Sequence, residues 1–489
     1  MTLEARLQIC YVLHFLLAMA FLLNPGQGQH QLSVTSGYGG GTYNAGEKVH
    51  VFAKYSQENE LVSGWDSNVD IGNTDGKLGL KGEWHFSFNM PASDVTLRPR
   101  LDQFPLEPKQ LIDLTLSSST GTELPVWYYI PKNPVGVVGF FHGSGGSRKF
   151  LTNPQPWYTA RQLVHAGYGI FATSSQESIN KVGKKRWNTK WKSFCSNNDL
   201  KNIKIVLEKF SSRGLITNET NLHAIGMSNG GVFAYTLVQA GGLGFSSGLS
   251  TCAHGDINID PSLPFMWQMC ENDSQESVVR KKGNSVANYE KLLKKGIPSI
   301  HVTHPASPVY PERFTRIRGV SATTSRNLYM YMQDNGLLSE KKYVIRPETN
   351  EDLETLIGKS SDFNSLDGRQ KLEFRGELFI ALAEHKYFDD YSKEVIDFFK
   401  SNSNAIPTFA NRSTSCFSLT PLNIIWIVVV LISSTVIFIG GFVYYWRYHR
   451  RQPPSQYAVG DDEVGQEIPP SVALKYTTSK GSQCIPPDA

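Results

Sequence analysis

Residues 105–400 read as an α/β fold, a mostly parallel sheet with helices on both faces. Apolar runs at residues 126–130, 135–141, 167–173 and 222–227 alternate with helical patterns at residues 157–165 and 199–210. Strands that alternate with helices form parallel sheets covered on both sides, and such strands are apolar throughout rather than on every second residue. The run at 222–227 passes directly through a glycine-flanked serine into a helix-forming stretch, a strand-to-helix junction within a few residues. Further strands are expected at residues 247–253, 297–303 and 377–383, and a last amphipathic helix at residues 391–399.

At 489 residues, 40% apolar and 19% charged, the chain is long enough for one large core with smaller attachments, and its composition excludes a disordered polymer. A formal charge of +4 over that length points to no acidic partner and to no nucleic acid. Residues 1–28 combine Arg6, an apolar run from Ile9 to Leu23 and a Pro25-Gly26 break, the pattern of a cleaved secretory signal. Residues 422–446 form an uncharged apolar run with Trp426 near one end and Tyr444, Tyr445 and Trp446 at the other, followed by Arg447, Arg450 and Arg451. Its length suits a membrane span, and the arginines place that end in the cytoplasm. The expectation is a single-pass type I cell-membrane protein with an extracellular ectodomain, a Ser/Thr/Asn-rich stalk at residues 401–421 and a disordered tail at residues 447–489.

Cysteine use fits that compartment. Outside the signal and tail stand Cys195, Cys252, Cys270 and Cys416, which allow two disulfides by three connectivities; Cys252 with Cys270 is preferred on proximity alone. Glycan acceptor triplets begin at Asn218, Asn272 and Asn411. No ligand spacing suggests a metal, and no cofactor is implied.

Residues 29–104 are rich in short alternating runs, such as 48–54 and 84–88, broken by glycine turns at 37–41 and 72–76, and read as a small β-rich module. The layout from Leu32-Ser-Val-Thr-Ser-Gly-Tyr through Ser63-Gly-Trp65 to Phe88-Asn-Met-Pro-Ala-Ser-Asp-Val95 resembles the divergent internalin-type repeat of bacterial surface proteins. The resemblance implies a spacer or adhesive module with a cell-surface or carbohydrate partner. Trp65 and Trp84 could stack on a sugar, although core aromatics of a small sheet are the plainer reading.

The chemistry lies in two glycine-rich turns. Gly226-Met-Ser-Asn-Gly230 fits G-x-S-x-G, in which glycines two before and two after the serine let a strained turn close and expose Ser228 Oγ. The apolar strand at 135–141 runs into His142-Gly-Ser-Gly-Gly146, whose backbone N–H groups can stabilise a developing oxyanion. Together these turns resemble the α/β-hydrolase superfamily of esterases, lipases and depolymerases. The resemblance implies Ser228 as nucleophile, amides at Gly143, Ser144 and Asn229 as the oxyanion hole, and a histidine after the final strand as general base, a place matched by His385. It also implies an acid after the strand preceding that of the histidine. The stretch at 300–314 is the match, and no aspartate stands in its turn; Glu312 and Asp256 remain alternatives.

A small-molecule or polymer ester is the implied substrate class, with a catalytically impaired adhesion protein and a peptidase as rivals. Residues 181–192 carry six cations with Trp187 and Trp191 interleaved, suited to an acidic or sugar-bearing substrate or simply to a solvated loop. Residues 254–295 read as a polar insertion, a candidate cap.

Overall fold

The computed structural model describes residues 29–54, 60–71, 84–190, 197–240, 243–275, 282–346 and 353–401. The expected signal, stalk, span and tail, with Cys195, Trp191, Asn411 and Cys416, lie outside the described residues. Among the described residues, no helix is long and apolar enough to cross a membrane.

The N-terminal strands are β1 (Gln29–Val34), β2 (Gly37–Tyr38), β3 (Gly41–Asn44), β4 (Lys48–Ala53), β5 (Glu60–Ser67), β6 (His85–Asn89) and β7 (Val95–Gln103). They form two small sheets, ordered β3-β1-β7-β5 and β2-β4-β6. In β7 every second residue from Val95 to Pro99 turns inward, as a sheet with one wet face requires. Trp65 and Trp84 are 3% and 0% exposed and belong to this core, so neither offers a ring to a sugar.

A third, larger sheet holds β8 (Ile112–Ser117), β9 (Glu123–Tyr129), β10 (Val137–Phe141), β11 (Gly169–Thr173), β12 (Leu222–Met227), β13 (Phe245–Thr251), β14 (Phe265–Cys270) and β15 (Ser299–His304). Its order is β15-β14-β13-β12-β10-β11-β9-β8. From β11 to β15 all pairings are parallel; β8 and β9 join antiparallel at one edge. Five of the central strands (β10, β11, β13, β14 and β12 up to Gly226) are buried along nearly their whole length, which explains why they read as unbroken apolar runs.

Alternate residues of each strand serve opposite layers. Val138 and Phe140 pack towards α1 (Pro154–His165) and the C-terminal helix Ser392–Ser401, whereas Val137 and Phe141 pack towards α2 (Asn198–Ser212) and α3 (Asn229–Ala240). Each fully buried phenylalanine contributes about 1.5–3 kcal/mol. The sheet's order reverses at β10: the chain goes to β11 on one side, then crosses to β12 on the other. In open α/β sheets the carboxyl ends beside such a reversal splay apart and leave a crevice. Both glycine-rich turns leave the sheet there.

Two expectations are corrected. Residues 377–383 are not a strand; they complete a helix, Gly368–Ala381, capped at Asp367 by a reciprocal pair with Gln370. The Asp367 and Gln370 side chains satisfy free backbone donors at that end, which commits the following apolar run to a helix. Nor is 254–295 a cap: it contributes β14 and the helix Lys282–Lys294 to the main sheet and its covering layer. Residues 309–381 instead contain a separate helical layer around Phe314, Leu328, Phe363 and Phe374.

Candidate active site

Ser228 occupies the turn between β12 and α3 with φ of 55°, in the left-handed region that a serine adopts at a cost of order 1–3 kcal/mol. Its neighbours explain how the turn closes. A Cβ on Gly226 would lie 2.0 Å from Gly230 O, and one on Gly230 would lie 2.2 Å from Phe141 O. Neither distance is possible for a side chain, so both positions require glycine. Ser228 N–H donates to Thr251 O at 2.9 Å, while its own carbonyl accepts from Gly231 and Val232 at the start of α3. The backbone is thereby fixed on both sides and the side chain is half-buried.

The turn after β10 lies against this one: a Cβ on Gly143 would be 3.3 Å from Ser228 Cβ. His142 sets its shape from below. Burial pushes the His142 pKa down to about 4, so the ring is neutral at pH 7. Nε2 accepts from Ser175 N–H at 3.1 Å, which leaves Nδ1 as the protonated nitrogen and donor to Gly143 O at 2.7 Å. Gly146 N–H donates to that same carbonyl and Gly145 N–H donates to Lys184 O. Because the carbonyl of a trans peptide points opposite its N–H, holding Gly143 O inward turns the Ser144 N–H the other way. Among the described residues, the amides of Gly143, Ser144 and Asn229 have no hydrogen-bond partner. These are the three amides that the sequence reading expects as oxyanion donors.

His385 follows the helix Gly368–Ala381, and its Nδ1 donates to Asp273 Oδ2 at 2.8 Å. Asp273 is the residue that sequence reasoning missed. Neither candidate acid reaches the histidine: Glu312 accepts from Arg326 at 2.6 Å, and Asp256 accepts from Asn258. The physical reason is topological. Since 377–383 is helical, β15 is the last strand among the described residues, and the strand before it is β14, which Asp273 follows by three residues. The stretch Cys270-Glu-Asn-Asp273 after an apolar run was the available signal. Asn272 pins the two loops together, its N–H donating to Ala383 O at 3.0 Å and its Nδ2 to Leu382 O at 2.9 Å.

Met227, Gly143 and His385 line one cavity of about 540 Å³, a volume suited to a small-molecule ligand, with Phe150, Phe379 and Tyr387 on its walls. Among the described residues, His385 is hydrogen-bonded to Asp273 and not to Ser228. Such contacts are commonly long in enzymes without substrate and tighten in the complex.

The cationic loop is tied to the serine turn. Asn229 accepts from Trp187 N–H at 2.6 Å and donates to Trp187 O at 3.3 Å. Trp187 is buried, stacks on Phe233 at 4.6 Å and donates from Nε1 to His142 O at 2.9 Å. Its role is packing. Asp199 holds the other side of the loop, accepting from Gln176 and Asn188 amides, each at 2.6 Å; burial raises its pKa to about 6 against those donors.

The expected Cys252–Cys270 disulfide is absent. The strand ends bring the sulfurs to 2.9 Å, but as two buried thiols, with Cys252 donating to Lys386 O at 3.3 Å. Cys252, Asp273 and His385 present ligand atoms within 4.8 Å of one another. As a metal site the trio is poorly matched, because burial pushes the Cys252 thiol well above its ordinary pKa and His385 Nδ1 is already bonded to Asp273. Of the glycan acceptors, Asn218 is exposed, whereas Asn272 Nδ2 is engaged by Leu382.

No family model and no curated protein matches the chain. The solved structures it resembles are esterases and serine hydrolases at low identity. A thermostable esterase is 15% identical, over 56% of this chain and 91% of that one, with a TM-score of 0.30. A dienelactone hydrolase from Anabaena variabilis is 19% identical, over 40% and 88%, at 0.31. An esterase from Pyrococcus furiosus is 13% identical, over 41% and 85%, at 0.32.

Proposed function

We propose that this protein is a serine hydrolase that cleaves carboxylic esters through an acyl-enzyme. The observation that carries the reading is the 2.8 Å bond from Asp273 to His385 Nδ1 at a cavity shared with the Gly143 turn and the Ser228 elbow. Asp273 fixes the tautomer in which His385 Nε2 is the free acceptor and stabilises the imidazolium once it forms. His385 takes the proton of Ser228 as Oγ attacks the ester carbonyl. The tetrahedral oxyanion is held by amides of Gly143, Ser144 and Asn229; collapse expels the alcohol, which takes the proton from His385. Water, deprotonated by the same histidine, then releases the acid and restores the serine. The rival reading, an inactive adhesion protein, drew on a missing acid, and Asp273 supplies a candidate. We further propose that the site faces the outside of a cell on a single-span anchor, with Asn218 glycosylated; surface biotinylation of expressing cells tests the placement.

A fluorophosphonate probe applied to the full-length protein tests the chemistry. Labelling of the wild type, none of Ser228→Ala and slow labelling of Asp273→Asn are expected. A folded wild type that stays unlabelled overturns the proposal in favour of the adhesion reading.

A further inference from the structure

The cavity at His385 carries charges that the hydrolytic chemistry does not use. Two carboxylates, Glu373 and Glu377, line it together with Lys149, Lys185 and Lys386. The carboxylates are already matched. Glu373 accepts from Arg369 at 2.7 Å, and Glu377 lies 3.4 Å from Arg313 and 3.8 Å from Arg316, besides accepting from Gln155. The lysines are not. Among the described residues, none of the three ammonium groups has a hydrogen-bonded or ion-paired partner.

Lys386 is the deepest of them. Its stem lies along the helix Gly368–Ala381, where a Cβ on Gly376 would be 2.9 Å from Cε and 3.2 Å from Nζ. An alanine there would displace the lysine, so the glycine makes room for it. Burial lowers the Lys386 pKa, partly offset by Glu377 and Glu373. A desolvated, unpaired cation beside the catalytic histidine is costly to hold and gains most from an anion brought to it. Lys149 and Lys185 stand nearer the mouth, where they attract the same charge from solvent. The same lining includes the apolar side chains of Phe150, Phe379 and Leu372.

We propose that the cavity is built for an ester whose acyl chain ends in a carboxylate, with an apolar spacer against Phe150 and Phe379 and the carboxylate on Lys386. This deepens the hydrolase reading and rests on it. It also gives Lys185, from the cation-rich loop, a part in the site.

The test compares mono-4-nitrophenyl glutarate with 4-nitrophenyl valerate, which carry the same number of acyl carbons and differ in the terminal charge, on full-length wild type, Lys386→Met and Lys386→Arg. The wild type should favour the glutarate at least tenfold in kcat/KM, as one charge-assisted contact allows. Lys386→Met should lose that preference through KM while valerate hydrolysis stays within about twofold, and Lys386→Arg should keep most of it. Equal handling of the two esters by the wild type overturns the subsite and leaves the hydrolase standing. A Lys386→Met variant that slows both esters alike also overturns it, showing that the lysine only supports the His385 loop. Should Ser228 resist fluorophosphonate, the hydrolase reading falls separately, and calorimetric titration with glutarate still decides the subsite: binding lost in Lys386→Met upholds it, and no binding to wild type overturns it.

Discussion

Among the described residues, two histidines are hydrogen-bonded through Nδ1 to an aspartate, one at the cavity and one beneath the N-terminal strands. His385, bonded to Asp273, lines the cavity; the histidine is 15% exposed, and among the described residues its other nitrogen has no hydrogen-bond partner. His85 with Asp390 is sealed, at 6% and 5% exposure. There the second nitrogen is spoken for, because His85 Nε2 meets His50 Nδ1 at 3.0 Å. Burial alone would raise the Asp390 pKa, but His304 and His85 hold it well below the usual carboxylate range. Next to it, Asp389 accepts from Arg316 at 2.6 Å, and Arg316 lies 3.8 Å over the Trp84 ring. The same pair of side chains therefore leaves one nitrogen available at the cavity, as the proposed orienting role requires, and acts as a fastening between the N-terminal sheets and the rest where neither nitrogen is available. A histidine–carboxylate bond alone does not distinguish a candidate site from a structural fastening; what differs between the two is the partner at the other nitrogen.

Exchanging each aspartate for asparagine should separate the two most sharply. Asp273→Asn should lower kcat by about 10³–10⁴-fold, the scale expected when the tautomer is lost, with little change in melting temperature. Asp390→Asn should leave activity per folded molecule within a few-fold but destabilise by about 3–5 kcal/mol, since it removes the charge that buried His85 and His304 face. Rate assays and thermal melts on both variants check this, and the opposite assignment of effects would dissolve the distinction.

Acidification offers a gentler probe. Burial lowers the pKa of His50 to about 2, with the neighbouring His85 adding to it, that of His223 to about 3, and that of His142 to about 4. Unfolded histidines titrate near pH ~6.5. Below that value the unfolded chain binds protons that the folded one refuses, so stability is complete above pH ~6.5 and falls as pH drops, by up to about 1.4 kcal/mol per unit for each histidine. Asp390, lowered as well, adds loss only below its unfolded pKa of about 4. Chemical denaturation at pH 7.5 and 5 should show the decline, and His50→Gln should make it shallower.

The smallest effect is expected at the serine turn itself. Asn229→Ala keeps the backbone donor but removes both contacts to Trp187, and should cost about 1–2 kcal/mol and no more than about tenfold in kcat/KM. Faster tryptic cleavage within residues 181–190 would show that the loop had been released.

The sequence made much of the candidate site legible because chemistry and sterics coincide there. Gly226 and Gly230 are recognisable since a side chain at either would not let the turn close around Ser228, and His142 to Gly146 directly follow an apolar strand. Asp273 was hidden by an error elsewhere. The run Glu377-Leu-Phe-Ile-Ala-Leu-Ala383 has the length of a buried strand and no alternation, and short apolar runs of that kind do not tell strand from helix. The deciding signal stood upstream, in Asp367-Gly-Arg-Gln370. Taken as a strand, that run places the expected acid one strand too far along, after β15. Phe265 to Cys270 escaped notice for a related reason: Pro261 and Pro264 make its approach look irregular, and only one of its residues is polar. The link between His85 and Asp390 spans 305 residues, and nothing local in either neighbourhood announces it.

The loop pinned by Asn272 has a consequence for how activity arises during folding. Asp273 and His385 are 112 residues apart, and the helices of the intervening layer must be in place before their loops can meet. Contacts between distant parts of a chain form after their connecting segments have been ordered, at the entropic cost of closing a long loop. Ser228 and its turn rest on β10, β12, β13 and α3, which lie closer together in the chain, so the proposed nucleophile can be set before its proposed base. On the proposed hydrolase reading, competence is then a late event on the folding path, and a nascent or partly folded chain carries the serine without the histidine that would activate it.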